Sequence, residues 1–530
     1  MSRKEVYQNL QSLTAAVERL QGDFTETETG DTHTERAVTD LNVGEFVKEF
    51  LSPYDPEDSL GYMARELVTL KHGEELQTFR HAAQELIAKP PLRQILEEFV
   101  KDNYNLKTFL EEREKLLGPF GVSKVFLGWE KLRDLVKVDY HVLKSFVSSV
   151  EKTQQTDSES SLLRRLREFG LIVTQEETYK TAKDMVETME NFGEVKLYIR
   201  YDFFDTVKGV QYLRFDPSER WKELLKWYLH TGKVGFDEIL SFGLAYFFPG
   251  RRDRLCMETL EFLIEHNWPF IEKILEYRRQ MDFFSGAARY VEKIKLAGVP
   301  LVFPSFSEER QPLVKALYNP CLLLQRGIKE KKDIVPNDVE SYPEENLTII
   351  TGPNNTGKTI YIKAIGLACA LAQNGFPIPA EEAQLPELDD LYTHFVHPED
   401  IKLGEGSYLD ELRRIKDLFQ NATSRTLIII DEPIRGSSPE DSEEMTLRFI
   451  KGFVELKAPT FLTTHLHSVS AKVDSWKEVR NLQTEVMLDG GELKPTYRIK
   501  PGKAGKSYGT QIADNFGLKE EDILRMTKKT

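Results

Sequence analysis

The chain has 530 residues, of which 40% are hydrophobic and 30% charged, and its formal net charge is −15. Its length allows three or four domains with a sizeable core, and its acidic balance excludes a protein that coats nucleic acid through overall positive charge. The three cysteines are far apart and form no CxxC pair, which argues against a disulfide framework and against a thiolate zinc site.

Membrane insertion is not predicted. No apolar run approaches the roughly 18 residues that a bilayer-spanning helix needs, and the start of the chain has no apolar core of a signal peptide. We therefore expect a cytoplasmic protein without a membrane partner.

The first part of the chain carries mainly helical patterns. Apolar residues at 3–22 have helical spacing, and a polar acidic link follows at 25–35. Helical periodicity then dominates 41–297. Within that region the alternation at 195–201 predicts a strand that could pair with 211–215, although an irregular loop fits the same residues.

Beyond about residue 300 the pattern changes. Proline-containing turns mark the transition, and short apolar strands then alternate with helices, as in a parallel α/β sheet. We predict a multidomain fold, a largely α-helical core or lever region followed by an α/β domain. The predicted segments are an N-terminal helix and link at 1–40, the helical domain at 41–297 with a small hairpin at 194–216, and the α/β domain at 298–530.

The strongest motif is a glycine-bracketed loop between an apolar run and a helical pattern. Such a loop turns consecutive N–H groups toward phosphate oxygens at the positive end of the helix dipole. Lys358 would reach the β and γ phosphates, and the Thr359 hydroxyl would bind Mg²⁺. The other residues predicted to contact the nucleotide are Gly352, Pro353, Asn354, Asn355, Thr356 and Gly357.

A second motif follows 73 residues after Lys358. Four apolar residues precede Asp431, so a buried strand would deliver this carboxylate to Mg²⁺. Glu432 is then placed to orient or deprotonate the attacking water. The alternative is a buried strand that ends in two solvated acids. Together with the loop, Asp431 and Glu432 predict that the α/β domain at 298–530 is a P-loop ATPase domain of ABC-like type.

Two weaker signals accompany these motifs. His465 directly follows the apolar strand pattern at 458–464, where it could sense the γ-phosphate or simply end the strand; His467 is given no role. Gly406 and Ser407 precede a helical pattern and could form an anion-binding nest. In dimeric ATPases of the ABC type such an element closes over the partner's nucleotide, but an ordinary N-cap at Ser407 fits equally.

Several motifs in a fixed order carry a family resemblance. They are residues 351–354, 357–359 with Tyr361, 431–432, 435–437, 464–465 and 505–509, together with 335–339 and 282–290. In this order they resemble the ATPase half of the MutS family of DNA mismatch-repair proteins, over residues from about 280 to 530.

The resemblance implies ATP and Mg²⁺ as ligands. Residues 352–359 would bind the triphosphate, Asp431 would serve Mg²⁺, Glu432 would be the catalytic base, and His465 would couple the γ-phosphate to conformation. Ile334 stands where the family usually has an aromatic residue that stacks on adenine, so it would supply apolar contact only. Two further departures are the signature serine, which is shifted by one position at Ser407, and Pro433 after the two acids.

The first half of the chain departs further from the family. The Phe-x-Glu motif of the mismatch-reading domain occurs at Phe24 and Phe109, but the first lies in the polar link and the second in a helical stretch. The sequence also ends without a Smr domain. We therefore expect a short MutS relative that lacks both of these domains.

These observations lead to one main hypothesis and two alternatives. The main one is a homodimeric Mg²⁺-ATPase that clamps mismatched, branched or duplex DNA, with Arg164, Arg165, Arg167, Lys196 and Arg200 as candidate backbone contacts. The acidic balance leaves open a nucleotide-dependent scaffold for a protein or ribonucleoprotein. An ABC-type ATPase unrelated to repair is disfavoured by His465 and by residues 505–509.

Overall fold

The computed structural model divides the chain into two compact units. One, the helical unit, lies within residues 89–285; the other, the sheet unit, combines parts of 27–88 with parts of 286–530. The structure describes residues 32–50, 56–117, 129–192, 196–201, 207–213, 249–308, 311–325, 334–342, 344–395, 405–434, 438–489, 492–502 and 517–527.

This division differs from the predicted boundary at residue 297. Residues 41–88 were predicted to belong to the helical domain, whereas in the structure they pack with the sheets. These residues have the same helical periodicity as the residues that follow them, so local pattern alone cannot assign them to a unit. The residues that they contact lie about 300 positions downstream.

Four helices form the N-terminal part of the sheet unit. They are α1 (Thr32–Asp40), α2 (Val43–Lys48), α3 (Pro56–Val68) and α4 (Gly73–Ala88). Leu41, Phe46 and Leu76 are fully buried among them, and Phe46 contacts the rings of both Phe50 and Tyr290. Their apolar faces therefore belong to the core of this unit.

The helical unit contains long helices and one hairpin. The elements are α5 (Pro90–Leu117), α6 (Trp129–Gln154), α7 (Ser161–Val173), α8 (Glu177–Phe192), β1 (Lys196–Tyr201), β2 (Val207–Leu213) and the first part of α9 (Pro249–Leu296). Phe169 of α7 packs against Phe270 and Tyr277 of α9. β1 and β2 are antiparallel, so the hairpin is present, with its second strand starting four residues earlier than the predicted 211.

The sheet unit contains a six-stranded and a four-stranded sheet. Along the chain the elements are β3 (Ser305–Ser307), β4 (Leu313–Leu317), α10 (Pro320–Gln325), β5 (Asn337–Glu340), β6 (Leu347–Thr351), α11 (Lys358–Gln373), β7 (Glu382–Pro386), β8 (Asp390–Phe395), α12 (Glu405–Asn421), β9 (Thr426–Asp431), α13 (Pro439–Leu456), β10 (Thr460–Thr464), α14 (His467–Val473), β11 (Val479–Asp489), β12 (Glu492–Pro501) and α15 (Glu520–Thr527). The strand orders are β12-β11-β6-β10-β9-β8 and β3-β7-β4-β5.

The six-stranded sheet is parallel except for its pairing between β11 and β12. Ile428 and Ile430 pack into a core with α12, α13 and α14, whereas Ile429 lies against Gly366 of α11 on the other face. Helices on both faces explain why these strands are continuous apolar runs rather than alternating ones. The α/β character predicted beyond residue 300 is confirmed.

In the part of the chain that the structure describes, no helix combines the length and the apolar character that crossing a membrane requires.

Candidate active site

Three neighbouring strands bring the predicted motifs to one edge of the sheet. β10 lies between β6 and β9, all three run parallel, and Thr464 pairs with Thr351 while Thr463 pairs with Asp431. The carboxyl ends of parallel strands meet at the same edge, where open α/β sheets hold their ligands. The loop after β6, the acids after β9 and His465 after β10 therefore converge.

The loop at 352–359 is held closely against β11. A Cβ at Gly352 would lie 1.9 Å from Oγ1 of Thr484, and this glycine has φ +149°. Thr356 Oγ1 donates to the Pro353 carbonyl at 2.7 Å, and it lies 2.8 Å from Thr484 Oγ1. Only glycine fits at position 352, because a larger residue would push the loop away from β11.

Lys358 is folded back onto its own loop. Its Nζ donates to the carbonyl oxygens of Gly352 at 2.9 Å and of Pro353 at 3.0 Å, and it lies 3.7 Å from Oε1 of Glu432. The side chain is buried. A buried ammonium needs such partners, and a bound anion could replace the carbonyls at little cost.

Asp431 lies between two threonine hydroxyls. Thr359 Oγ1 donates to its two carboxylate oxygens at 3.0 and 3.1 Å, and Thr463 Oγ1 lies 2.5 Å from Oδ1. A hydroxyl and a carboxylate are hard oxygen ligands of the kind that Mg²⁺ takes together with phosphate and water. Among the described residues no group of three or more His, Cys, Asp or Glu side chains could hold a metal alone.

Glu432 is buried between two basic side chains. Its carboxylate lies 3.7 Å from Lys358 Nζ and 3.4 Å from Nδ1 of His465, which is itself exposed. The Glu432 backbone N–H donates to the carbonyl and to the hydroxyl of Thr463. This carboxylate could accept a proton from a water at the sheet edge.

Two backbone conformations at this edge are costly. Glu432 has φ 52° and Ile434 has φ 61°, both in the left-handed region. Such conformations at non-glycine residues cost about 1–3 kcal/mol each and persist where the surroundings enforce them. The turn after β9 is therefore held in place by its neighbours.

His467 lies two residues beyond His465, the histidine that could contact a ligand. Burial lowers its pKa, and the nearby positive charges of His465 and Lys358 lower it further. A neutral imidazole is favoured there near pH 7. No catalytic role was predicted for His467, and its contacts suggest none.

The residues of the predicted nest lie in the first turn of α12. Gly406 and Ser407 follow Glu405, where the helix begins. Their side-chain surroundings lie outside the described part of the chain, as do residues 401–404, 435–437 and 505–509. The predicted roles of these residues therefore stay predictions.

An aromatic residue that the sequence did not single out lies beside the loop. Tyr497 is about half exposed, has φ 59°, and its Cδ1 lies 3.3 Å from a Cβ built on Gly357. It stands in a bulge where residues 496–498 of β12 oppose Glu485 of β11. Asn337 holds this bulge by donating to the Tyr497 carbonyl at 3.0 Å and accepting from the Ile499 N–H at 2.7 Å. Ile334, predicted to contact adenine, is buried.

The three arginines of α7 that were predicted to contact DNA differ in their surroundings. Arg167 forms an ion pair with Asp157 at 2.9 Å, Arg165 is half-buried, and Arg164 is exposed. Lys196 and Arg200 lie on β1, but their side chains are outside the described part of the structure.

The comparison with protein families matches this arrangement. The model of MutS domain V matches residues 348–530, which include β6 from its second residue, the loop, both acids and His465. The DNA mismatch repair protein MutS of Persephonella marina is 24% identical over 498 residues, which is 86% of this chain. Residues 348–530 therefore match MutS domain V, and over most of its length the chain is similar to a MutS protein.

Other MutS proteins align over about half of the chain. The MutS proteins of Salinibacter ruber and Thermus aquaticus are 34% and 29% identical, each over 262 residues and 48% of this chain. The aligned part is 55% of the Persephonella protein, 28% of the Salinibacter protein and 31% of the Thermus protein. The chain therefore spans about half the length of the Persephonella protein and a smaller share of the other two.

Proposed function

We propose that this protein is a magnesium-dependent ATPase whose nucleotide cycle switches a MutS-like dimeric clamp on mismatched or structured DNA, in DNA repair or recombination. The observation that carries the proposal is the convergence of Lys358, the Thr359–Asp431 pair and the Glu432–His465 pair at one sheet edge. Each of these groups suits a different part of phosphoryl transfer.

The triphosphate would bind at the P-loop, residues 352–359, as in ATPases of the ABC-like type. Lys358 would exchange the Gly352 and Pro353 carbonyls for phosphate oxygens, and the buried start of α11 would add the positive end of its dipole. Thr359 and Asp431 would hold Mg²⁺, which when bound neutralises charge on the phosphates.

Glu432 is the proposed base. Its carboxylate lies within reach of the γ-phosphate side of the loop, and Lys358 and His465 flank it. His465 is exposed, so its free ring atoms could contact the γ-phosphate or the water. Tyr497, which lies beside Gly357 of the loop, would offer a ring face to the adenine, and the buried Ile334 would supply apolar contact only.

Dimerisation is proposed from the C-terminal helix. α15 has no buried residue, and Ile523, Leu524 and Met526 are between 44% and 58% exposed. Apolar side chains grouped on a short helix are a feature of protein interfaces. In such a dimer, a second copy would cover this face and bring Gly406 and Ser407 to the partner's nucleotide.

The test is the variant Glu432→Gln. It keeps the size of the side chain but removes the proton acceptor, so we expect turnover to fall by about 10²-fold or more while ATP affinity stays within a few fold. Steady-state phosphate release and equilibrium ATP binding are the measurements. Glu455→Gln, an exposed carboxylate near the far end of α13, is the matched control. Turnover that survives in Glu432→Gln would assign the base elsewhere.

A further inference from the structure

The turn that follows β9 has an unfavourable backbone conformation. Ile434 has φ 61°, and a β-branched residue rarely adopts positive φ. Glu432, two residues earlier, has φ 52°. The direction of the Glu432 carboxylate therefore depends on groups that fix the turn from outside.

Both backbone groups of Ile434 are fixed by buried side chains. Its N–H donates to Oε1 of Glu411 at 2.6 Å, and its carbonyl accepts from Oγ of Ser442 at 2.7 Å. Glu411 and Ser442 are each 7% exposed and Ile434 is 1% exposed. Hydrogen bonds to a carboxylate acceptor are short and strong, so the bond that Ile434 donates to Glu411 is the stronger of the two.

Glu411 is itself anchored on its other side. Nε2 of His394, at the end of β8, lies 2.9 Å from the same Oε1, and both side chains are buried. Nδ1 of His394 is buried and has no hydrogen-bond partner among the described residues. A buried N–H without an acceptor is costly, so the hydrogen belongs on Nε2, which donates to Glu411.

Glu411 also connects the turn to the helix that begins near Gly406 and Ser407. α12 starts at Glu405, and Glu411 lies less than two turns further along it. A shift of the start of α12 would move the Glu411 carboxylate with it, because the helix is hydrogen-bonded throughout. The Ile434 N–H, and with it the turn that carries Glu432, would follow.

We infer that Glu411 is a positioning residue, which holds Ile434 so that the Glu432 carboxylate stays between Lys358 and His465. Through it, the position of α12 controls the catalytic carboxylate of the same subunit. This inference rests on the proposed ATPase function. The carboxylate of Glu411 is bonded to His394 and Ile434 and is not among the proposed nucleotide contacts, so we expect its removal to affect the chemical step rather than binding.

The first experiment compares Glu411→Ala with Glu411→Gln. We expect Glu411→Ala to lower kcat by about 10- to 100-fold, because small misplacements of a catalytic group have effects of this size, while the ATP dissociation constant changes by less than about threefold. Glu411→Gln keeps an acceptor oxygen and should retain kcat within about threefold of wild type. Asp417→Ala, which removes a carboxylate from the exposed side of α12, is the matched control.

The second experiment separates positioning from a general structural role. If Glu411 acts through Glu432, adding Glu411→Ala to Glu432→Gln should lower kcat no further. Should Glu411→Ala fail to fold, Glu411→Asp replaces it: the charge is kept, but the carboxylate is one methylene too short for the Ile434 N–H, and we expect about a tenfold loss of kcat.

Defined results overturn the inference. They are a wild-type kcat in Glu411→Ala or Glu411→Asp, an equal loss in Glu411→Gln and Glu411→Ala, or a further additive loss in the Glu432→Gln background. Failure of the proposed function is distinguishable, because wild-type protein would then bind or hydrolyse no ATP before any variant is compared.

Discussion

At the scale of single residues, Lys358 is the group whose contacts the proposed nucleotide binding would replace. Its Nζ bonds to two carbonyls of its own loop and faces Glu432. A triphosphate would take over these bonds, so the loop opens away from its lysine on binding. Glu432 would at the same time lose part of its contact with Lys358 and become freer to act on water.

The first prediction concerns this lysine. Lys358→Ala removes hydrogen bonds to phosphate that are worth about 1.5–3 kcal/mol each for a charged donor, so ATP affinity should fall by about 100-fold. Equilibrium binding of a fluorescent ATP analogue measures it, with circular dichroism to confirm that the variant is folded. An affinity equal to that of wild type would contradict a role for Lys358 in phosphate binding.

The second prediction concerns Tyr497. Stacking of a base on an aromatic ring contributes about 1–3 kcal/mol, so Tyr497→Ala should weaken ATP binding by about tenfold. Tyr497→Phe keeps the ring and serves as the control, with affinity close to wild type. If the two variants bind ATP equally, the adenine does not rest on this ring.

The sequence predicted some of these residues and not others, for a physical reason. Lys358, Thr359, Asp431 and Glu432 belong to local strand and loop patterns, and the structure brings them together. Tyr497 and Glu411 act through contacts across long sequence separations: Tyr497 lies about 140 positions from Gly357, in a bulge that no local pattern announces. Glu411 meets Ile434 only because α12 packs beside β9.

At the scale of elements, the end of α11 is joined to the N-terminal helices. Asn374 Nδ2 donates to the Leu67 carbonyl at 2.8 Å, and Gln373 Nε2 donates to the Lys71 carbonyl at 3.2 Å. α11 begins at the phosphate loop and ends at this junction. If the proposed nucleotide binding moves the loop, α11 would connect that movement to α3 and α4.

The third prediction tests how tightly this junction is packed. A Cβ at Gly375 would lie 2.5 Å from the Arg80 backbone nitrogen, and the residue has φ +79°. Gly375→Ala should lower the free energy of unfolding by about 2–4 kcal/mol, since backbone cannot yield as a side chain can.

Gly298→Ala is the control for that prediction. Gly298 has φ +70° but no atom within 4 Å of a built Cβ, so only the conformational cost of about 1 kcal/mol applies. Urea denaturation of both variants gives the comparison. Equal losses of stability would mean that α4 does not pack closely against the end of α11.

The sequence predicts whether a segment is a strand or a helix more readily than it predicts to which of the two units that segment belongs. The apolar runs that became β6, β9 and β10 are buried on both faces, so their pattern is strong and local. Helices α1 to α4 have the same amphipathic spacing as α5 to α8. Their assignment to the sheet unit depends on partners such as Asn374, which the spacing does not contain.

At the scale of the whole molecule, both the chain and its proposed ligand, DNA, are negatively charged. The formal net charge is −15, so DNA binding requires basic residues gathered on one surface. The candidate residues are Arg164 and Arg165 of α7 with Lys196 and Arg200 of β1, while Arg167 of α7 pairs with Asp157. A dimer formed through the apolar face of α15 would double the number of these residues.

The fourth prediction is that α15 mediates self-association. Replacing Leu524 by Glu puts a charge on its exposed apolar face, so the dimer should dissociate while the subunit remains folded, because the helix buries no residue. Sedimentation velocity measures the oligomeric state, and Glu521→Gln on the same helix is the control. An unchanged dimer in Leu524→Glu would move the interface elsewhere.

The most direct test is DNA binding by wild type and Glu432→Gln, with homoduplex, mismatched and four-way-junction DNA, without nucleotide and with Mg²⁺-ATP. We predict that affinity falls steeply between about 50 and 200 mM salt, as phosphate contacts require. Mg²⁺-ATP should change the affinity for at least one of the three DNAs, and Glu432→Gln should hold that change because it cannot hydrolyse the nucleotide. No salt-dependent binding to any of them, or binding that ATP leaves unaltered, would contradict a nucleotide-controlled DNA clamp.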